Sequence, residues 1–145
     1  MTNSVYEFTF YSIFVRNLTI IPNLAKKNIL VIEDNHAILD VITLILESEA
    51  FNVAGLNKGA EFIKHVHEFK PDVIIMDIML PDTDGRTLLK ELKDTAATQH
   101  IPVLMISARY NASNYSLDGV EANDFMSKPF NIDELMDKIY ALLKN

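Results

Sequence analysis

Asp77 closes a run of apolar residues, Val73-Ile74-Ile75-Met76, and the loop after it, Pro81-Asp82-Thr83-Asp84-Gly85, is made of turn formers. A carboxylate at the C-terminal end of a buried strand sits where open α/β sheets place their chemistry, so we read Asp77 as a nucleophile. Three more strand-like segments end on polar residues: Asn28 to Ile32 runs into Glu33-Asp34, Ile101 to Ile106 into Ser107, and Asp124 to Ser127 into Lys128. In a parallel sheet these ends share one edge, and side chains far apart in the chain converge on one small site. Three carboxylates in one place repel unless a cation or a proton compensates. A hard divalent ion meets that need, because magnesium favours oxygen ligands and is often held by one or two carboxylates together with a phosphate oxygen. Lys128 and the hydroxyl of Ser107 add a positive charge and a hydrogen-bond donor for further phosphoryl oxygens. The set suits phosphoryl transfer, in which catalysis is mainly positioning and charge neutralisation, with Asp77 attacking in line to become an aspartyl phosphate.

The elements that must position these residues are written in the hydrophobic pattern. Apolar runs without polar alternation, Asn28–Ile32 and Val73–Met76, read as strands buried on both faces. Between them, Asn35 to Ala50 carries apolar residues at helical spacing (Ile38, Val41, Ile42, Ile45, Leu46). Phe51 to Leu56 reads as a strand weakened by Gly55, and Gly59 to Phe69 as a helix that stops at Lys70 because Pro71 follows. A third helix after Gly85 turns Leu88, Leu89 and Leu92 inward and Arg86, Lys90, Glu91 and Lys93 outward. Position alone calls for a fourth helix over Arg109 to Gly119, although Asn111, Ser113, Asn114, Ser116 and Gly119 are weak helix formers. Asn131, with Glu134 three residues on, resembles a capping box opening a last helix on Leu135, Ile139 and Leu142. Five strands alternating with five helices, joined by connections too long for hairpins, imply a doubly wound parallel sheet with helices on both faces.

Composition bounds the partners. A chain of 145 residues with a hydrophobic fraction of 49% holds one domain with a sizeable core. Its net charge of −7, with Lys26-Lys27 the only adjacent basic pair, argues against direct nucleic-acid binding. The absence of cysteine excludes disulfides and thiolate chemistry and fits a cytoplasmic setting. Residues 1–27 are treated as an N-terminal extension. Glu7 and Arg16 interrupt their apolar run short of a membrane span, no basic segment precedes it, and Tyr6, Phe8 and Phe10 alternate as in a short strand or adhesive arm. An upstream translation artefact is the other reading, since Ala25-Lys26-Lys27 before a strand looks like the opening of a domain.

Four blocks in the right order, Ile32-Glu33-Asp34-Asn35, Met76 to Gly85, Ile106-Ser107-Ala108 and Ser127-Lys128-Pro129-Phe130, resemble the receiver domain of two-component response regulators. The resemblance spans residues 28–145. It implies a flavodoxin-like sheet of order 2-1-3-4-5, as in the single-domain chemotaxis regulator, and an Asp77 that accepts phosphate from a histidine kinase or phosphotransfer protein. By it, Glu33, Asp34, Asp77 and the backbone carbonyl of Met79 would bind magnesium, and Ser107 and Lys128 would contact the phosphoryl group. It also implies a switch in which Ser107 and Phe125 rearrange together. Phe125 lacks the hydroxyl of the tyrosine many members carry, so only its packing can report the state, and Glu121 stands where members tend to have glycine.

Taken singly, each of these residues has a bland role. An isolated strand-end Asp is more often a turn former, Glu33-Asp34 could be a solvated helix start, and a terminal serine commonly satisfies a turn. Jointly they favour the functional reading. Asp82-Thr83-Asp84-Gly85 copies part of a calcium loop, but Leu80 and Pro81 occupy its first positions and a strand precedes it. The expected function is therefore a stand-alone phospho-receiver that signals through protein contacts, since the chain ends with the last helix, and that catalyses only its own phosphorylation and dephosphorylation. The competing reading is a magnesium-dependent phosphatase of the haloacid dehalogenase type. That class needs a second aspartate two residues on, where this chain has Met79. A flavodoxin-like electron carrier is weaker still, because no Ser/Thr/Gly-rich loop follows the first strand.

Overall fold

The computed structural model describes residues 25–109 and 116–144. Strands β1 (Asn28–Ile32), β2 (Asn52–Leu56), β3 (Val73–Asp77), β4 (Val103–Ser107) and β5 (Asp124–Ser127) form one parallel sheet of order β2-β1-β3-β4-β5. The central strands are apolar throughout because both of their faces are covered. Along β1, Ile29 and Val31 face one core and Leu30 and Ile32 the other, and β3 and β4 alternate in the same way. Helices α1 (His36–Ser48) and α4 (Ile132–Leu143) cover the first face through Ile42, Leu46, Leu135 and Ile139. Helices α2 (Phe62–Phe69) and α3 (Gly85–Asp94) cover the second through Phe62, Val66, Leu89 and Leu92.

Side chains start three of the helices. Asn35 accepts from the Ile38 N–H, Asp84 from Arg86 and Asn131 from Glu134. Each such cap is worth about 1 kcal/mol. Helix α2 begins three residues later than the sequence suggests, because Glu61 takes a left-handed conformation at its N-terminus. Lys70, also left-handed, ends it before Pro71.

Two expectations are corrected. The helix expected over Arg109 to Gly119 lies partly outside the described residues, and its described end is a turn. Leu117 and Val120 exchange both backbone hydrogen bonds across Asp118 and Gly119, which both have positive φ. Asp-Gly is a pair suited to a two-residue turn of this kind, and it overrides the positional argument. The described residues therefore hold four helices. Lys93 does not point into solvent: it is half-buried, and its Nζ donates to the carbonyl of Ile101 (2.6 Å) and to Asn123 Oδ1 (3.0 Å). Of the N-terminal extension, residues 1–24 lie outside the described part of the chain.

Candidate functional site

Asp77 ends β3 between β1 and β4, with its side chain 6% exposed. Its Oδ1 accepts the Met79 N–H at 3.0 Å and its Oδ2 accepts Lys128 Nζ at 2.8 Å. The chain can turn into α3 so close to this strand end because residue 85 is glycine. A Cβ there would lie 2.2 Å from the backbone oxygen of Asp77.

Glu33 is fully buried at the end of β1. Its Oε1 accepts the Asn35 N–H at 3.0 Å, whereas Oε2 makes no hydrogen bond of good geometry and is held by the charge of Lys128 Nζ, 2.5 Å away. Burial pushes the Glu33 carboxyl above its ordinary range, opposed by Lys128 and the Asn35 N–H and helped by the Asp77 charge. For Lys128, burial alone would lower the ammonium, but the hydrogen bond to Asp77 and the attraction of the Asp77 and Glu33 carboxylates outweigh it and hold the pKa above the usual lysine value. Asp34 is exposed at the mouth. One carboxylate oxygen from each of Glu33, Asp34 and Asp77 lies within 4.8 Å of the others.

One ammonium against three carboxylates leaves negative charge unbalanced. An all-oxygen, closely spaced donor set of that charge fits a hard divalent cation such as magnesium and offers nothing to a soft one.

Ser107 occupies the same edge, one residue beyond Ile106, the register partner of Asp77. It is buried, its backbone oxygen accepts the Lys128 N–H at 2.9 Å, and its Oγ accepts the Arg109 N–H at 3.2 Å. The structure thus joins Glu33, Asp77 and Lys128 directly and places Asp34 beside them. It ties Ser107 to Lys128 through the backbone. Phe125 is half-buried in β5, in register with Met105, and packs on the core that holds α2 and α3. Met79 contributes its N–H to Asp77, and its backbone forms an antiparallel bridge with Asp84.

Two contributions went unread in the sequence. The Asn35 N–H fixes Glu33, a bond that follows from the tight entry into α1. Asp82, read only as a turn former, accepts the N–H groups of Gly59 (2.7 Å) and Ala60 (2.8 Å) from the loop after β2. Two orphan N–H groups before a short helix do call for an acceptor, but nothing local says it lies over twenty residues on.

Residues 29–140 match the family described as response regulator receiver domain. The chain is 39% identical over 121 residues to the transcriptional regulatory protein KdpE of Staphylococcus aureus, covering 81% of this chain and 50% of that protein. Among solved structures, a CheY-like response regulator receiver domain protein from Methanospirillum hungatei is 28% identical with a TM-score of 0.75, covering 83% of this chain and 95% of that one. The receiver domain of a sensor histidine kinase from Pseudomonas aeruginosa, described with a magnesium ion coordinated in its active site cleft, is 24% identical with a TM-score of 0.75, covering 83% and 100%. At that identity it speaks for the fold. The chain spans about half the length of the curated relatives it matches.

Proposed function

We propose, from the premise that this chain belongs to the response regulator receiver domain family, that it accepts a phosphoryl group on Asp77 from a histidine kinase or a histidine phosphotransfer protein. Membership makes it a signalling module of two-component systems rather than a catalytic enzyme. The phosphatase alternative is set aside on that ground.

The observation that carries the reading is the ion pair of Lys128 Nζ with both Asp77 Oδ2 and Glu33 Oε2. Asp77 is fixed by one donor on each oxygen, so its orientation is set before any donor arrives. Lys128 is already in place for the charge gained when the carboxylate becomes an acyl phosphate, and the cost of orienting it is met in folding. Glu33, Asp34, Asp77 and the Met79 carbonyl would hold magnesium. Bound there, the ion would neutralise phosphoryl charge. In this reading Ser107 supplies its hydroxyl to the phosphoryl group by releasing its bond to the Arg109 N–H, and Phe125 follows by repacking on the core.

Residues 28–145 form the receiver in this reading and 1–27 an extension of it. The setting is cytoplasmic; among the described residues no helix is long and apolar enough to cross a membrane. Output is through a protein contact made by the receiver acting alone. Relatives twice as long that are named as transcriptional regulators favour a fused effector as the second reading, and the mass of the native protein decides between them.

The test of the acceptor is intact mass after incubation with magnesium and acetyl phosphate. One hydroxylamine-sensitive phosphate is expected on the wild type and none on Asp77→Asn. A phosphate retained by that variant would move the nucleophile elsewhere.

A further inference from the structure

Next to the acid cluster lies a feature that phosphate acceptance by Asp77 does not use. A cavity of about 340 Å³ is lined by Asp34, His36, Asn57, Lys58 and Pro81. Asp34 belongs both to this cavity and to the carboxylate cluster, so the two spaces adjoin. On Asp77 itself, Lys128 Nζ is bonded to Oδ2 and the Met79 N–H to Oδ1, and β4 lies alongside β3. Lys58 is the lysine of this wall, on a rim that also carries Glu33, Asp34, Asp77 and Asp82.

A lysine on a surface loop is most often simply solvated. The backbone around this one, however, is anchored on both sides. The Glu33 N–H donates to the Leu56 carbonyl at 2.9 Å, tying the residues just before Lys58 to the end of β1. The Asp82 carboxylate takes the N–H groups of Gly59 and Ala60, tying the residues just after it to the loop that leaves Asp77. The approach is close enough that a Cβ on Gly59 would stand 2.4 Å from Thr83 Cγ2. The backbone at Lys58 is therefore anchored to both the strand that ends at the acids and the loop that leaves the nucleophile, while its side chain is exposed.

We propose that this cavity receives the leaving group of the phosphodonor, and that Lys58 pairs with that group when it departs as a carboxylate. The inference rests on the reading of Asp77 as acceptor. For an acyl phosphate, an Asp77 carboxylate oxygen forms the new bond to phosphorus while the bond from phosphorus to the acyl oxygen breaks, and its electron pair leaves as the carboxylate. No proton moves. Phosphoramidate carries a proton on its nitrogen as a zwitterion, so the same attack breaks the P–N bond and expels neutral ammonia, which has no charge for Lys58 to meet. Acyl phosphates are thus the donor class this wall favours.

The experiment measures phosphorylation rates of the full chain by intact mass, with saturating magnesium at low, matched ionic strength, using acetyl phosphate and phosphoramidate. The quantity read is the ratio of the two rates. In Lys58→Met it falls by about fivefold, the size of effect that one partly exposed charge pair supports. Lys58→Arg retains it, and so does Lys64→Met, which removes an exposed lysine outside the cavity. An unchanged ratio in Lys58→Met, or an equal fall in Lys64→Met, overturns the inference while leaving Asp77 as acceptor intact. If the wild type takes phosphate from neither donor, the acceptor reading fails and this inference goes with it.

Discussion

The two rims of the sheet use similar polar residues to opposite ends. At the rim where the strands begin, polar groups are matched to backbone partners. The Asn28 N–H donates to Asp72 Oδ2 (2.8 Å), Asn28 Nδ2 to the Phe69 carbonyl (2.9 Å), and Asn123 Oδ1 accepts both the Val103 N–H (2.9 Å) and Lys93 Nζ. At the rim where the strands end, charges are matched mainly to each other. There Glu33 Oε2 is buried without a well-formed hydrogen bond, and two of the three clustered acids share one lysine. Satisfied polar groups rigidify a fold, whereas an under-balanced cluster is a place where binding of a cation or a phosphoryl group is favourable. The difference separates a staple from a site.

Removing the lysine should have the largest effect on the ending rim. Lys128→Met leaves Glu33 and Asp77 buried without their cation, and the loss of one partner from such a pair costs about 3–5 kcal/mol. Urea unfolding is expected to show a loss of that order without magnesium and a smaller one with it. A loss under about 0.5 kcal/mol in both conditions would mean the ion pair holds nothing together.

At the opposite rim, Asn123→Ala strands the Val103 N–H and one donor of Lys93, at a cost of about 1–3 kcal/mol. That loss should be the same with and without magnesium, and uptake of phosphate from acetyl phosphate should be unchanged. A magnesium-dependent loss would erase the distinction between the rims.

The smallest effect concerns Asp84, which caps α3 beside the site. The Arg86 hydrogen bond holds its carboxyl below the ordinary value of 3.8. Because the folded pKa is depressed, the stabilisation is present above the unfolded value and lost as pH falls through the folded one. Asp84→Asn keeps a capping oxygen but not the charge. Thermal melts should show the wild type ahead of the variant above about pH 3.8 and the two converging as acidity increases. Parallel curves across that range would remove the charge from the explanation.

Much of the ending rim was legible in the sequence. A strand buried on both faces has no choice but an unbroken apolar run, so Val73–Asp77 and Val103–Ser107 announce where they stop, and the stop is where the polar side chain emerges. The beginning rim was not. Lys93 lies on what periodicity marks as an outer face, and its partner Asn123 is thirty residues away in a segment with no helical or strand pattern. The same applies to Asp82 and the loop at Gly59. Such pairings are set by how helices seat on the sheet, and residue spacing within a helix carries no trace of that. The described end of the helix expected up to Gly119 differs for another reason: Asp118-Gly119 between Leu117 and Val120 was a readable turn signal, outweighed by the expectation that strands and helices alternate.

Glu33, Asp34 and Asp77 are gathered where together they would hold a divalent cation. Melting temperature against magnesium concentration tests this directly, because a ligand bound only by the folded state raises Tm with the logarithm of its concentration once binding saturates. The wild type should show that rise and Asp34→Asn should lose most of it. A flat wild-type curve, or equal rises in both proteins, would contradict the account.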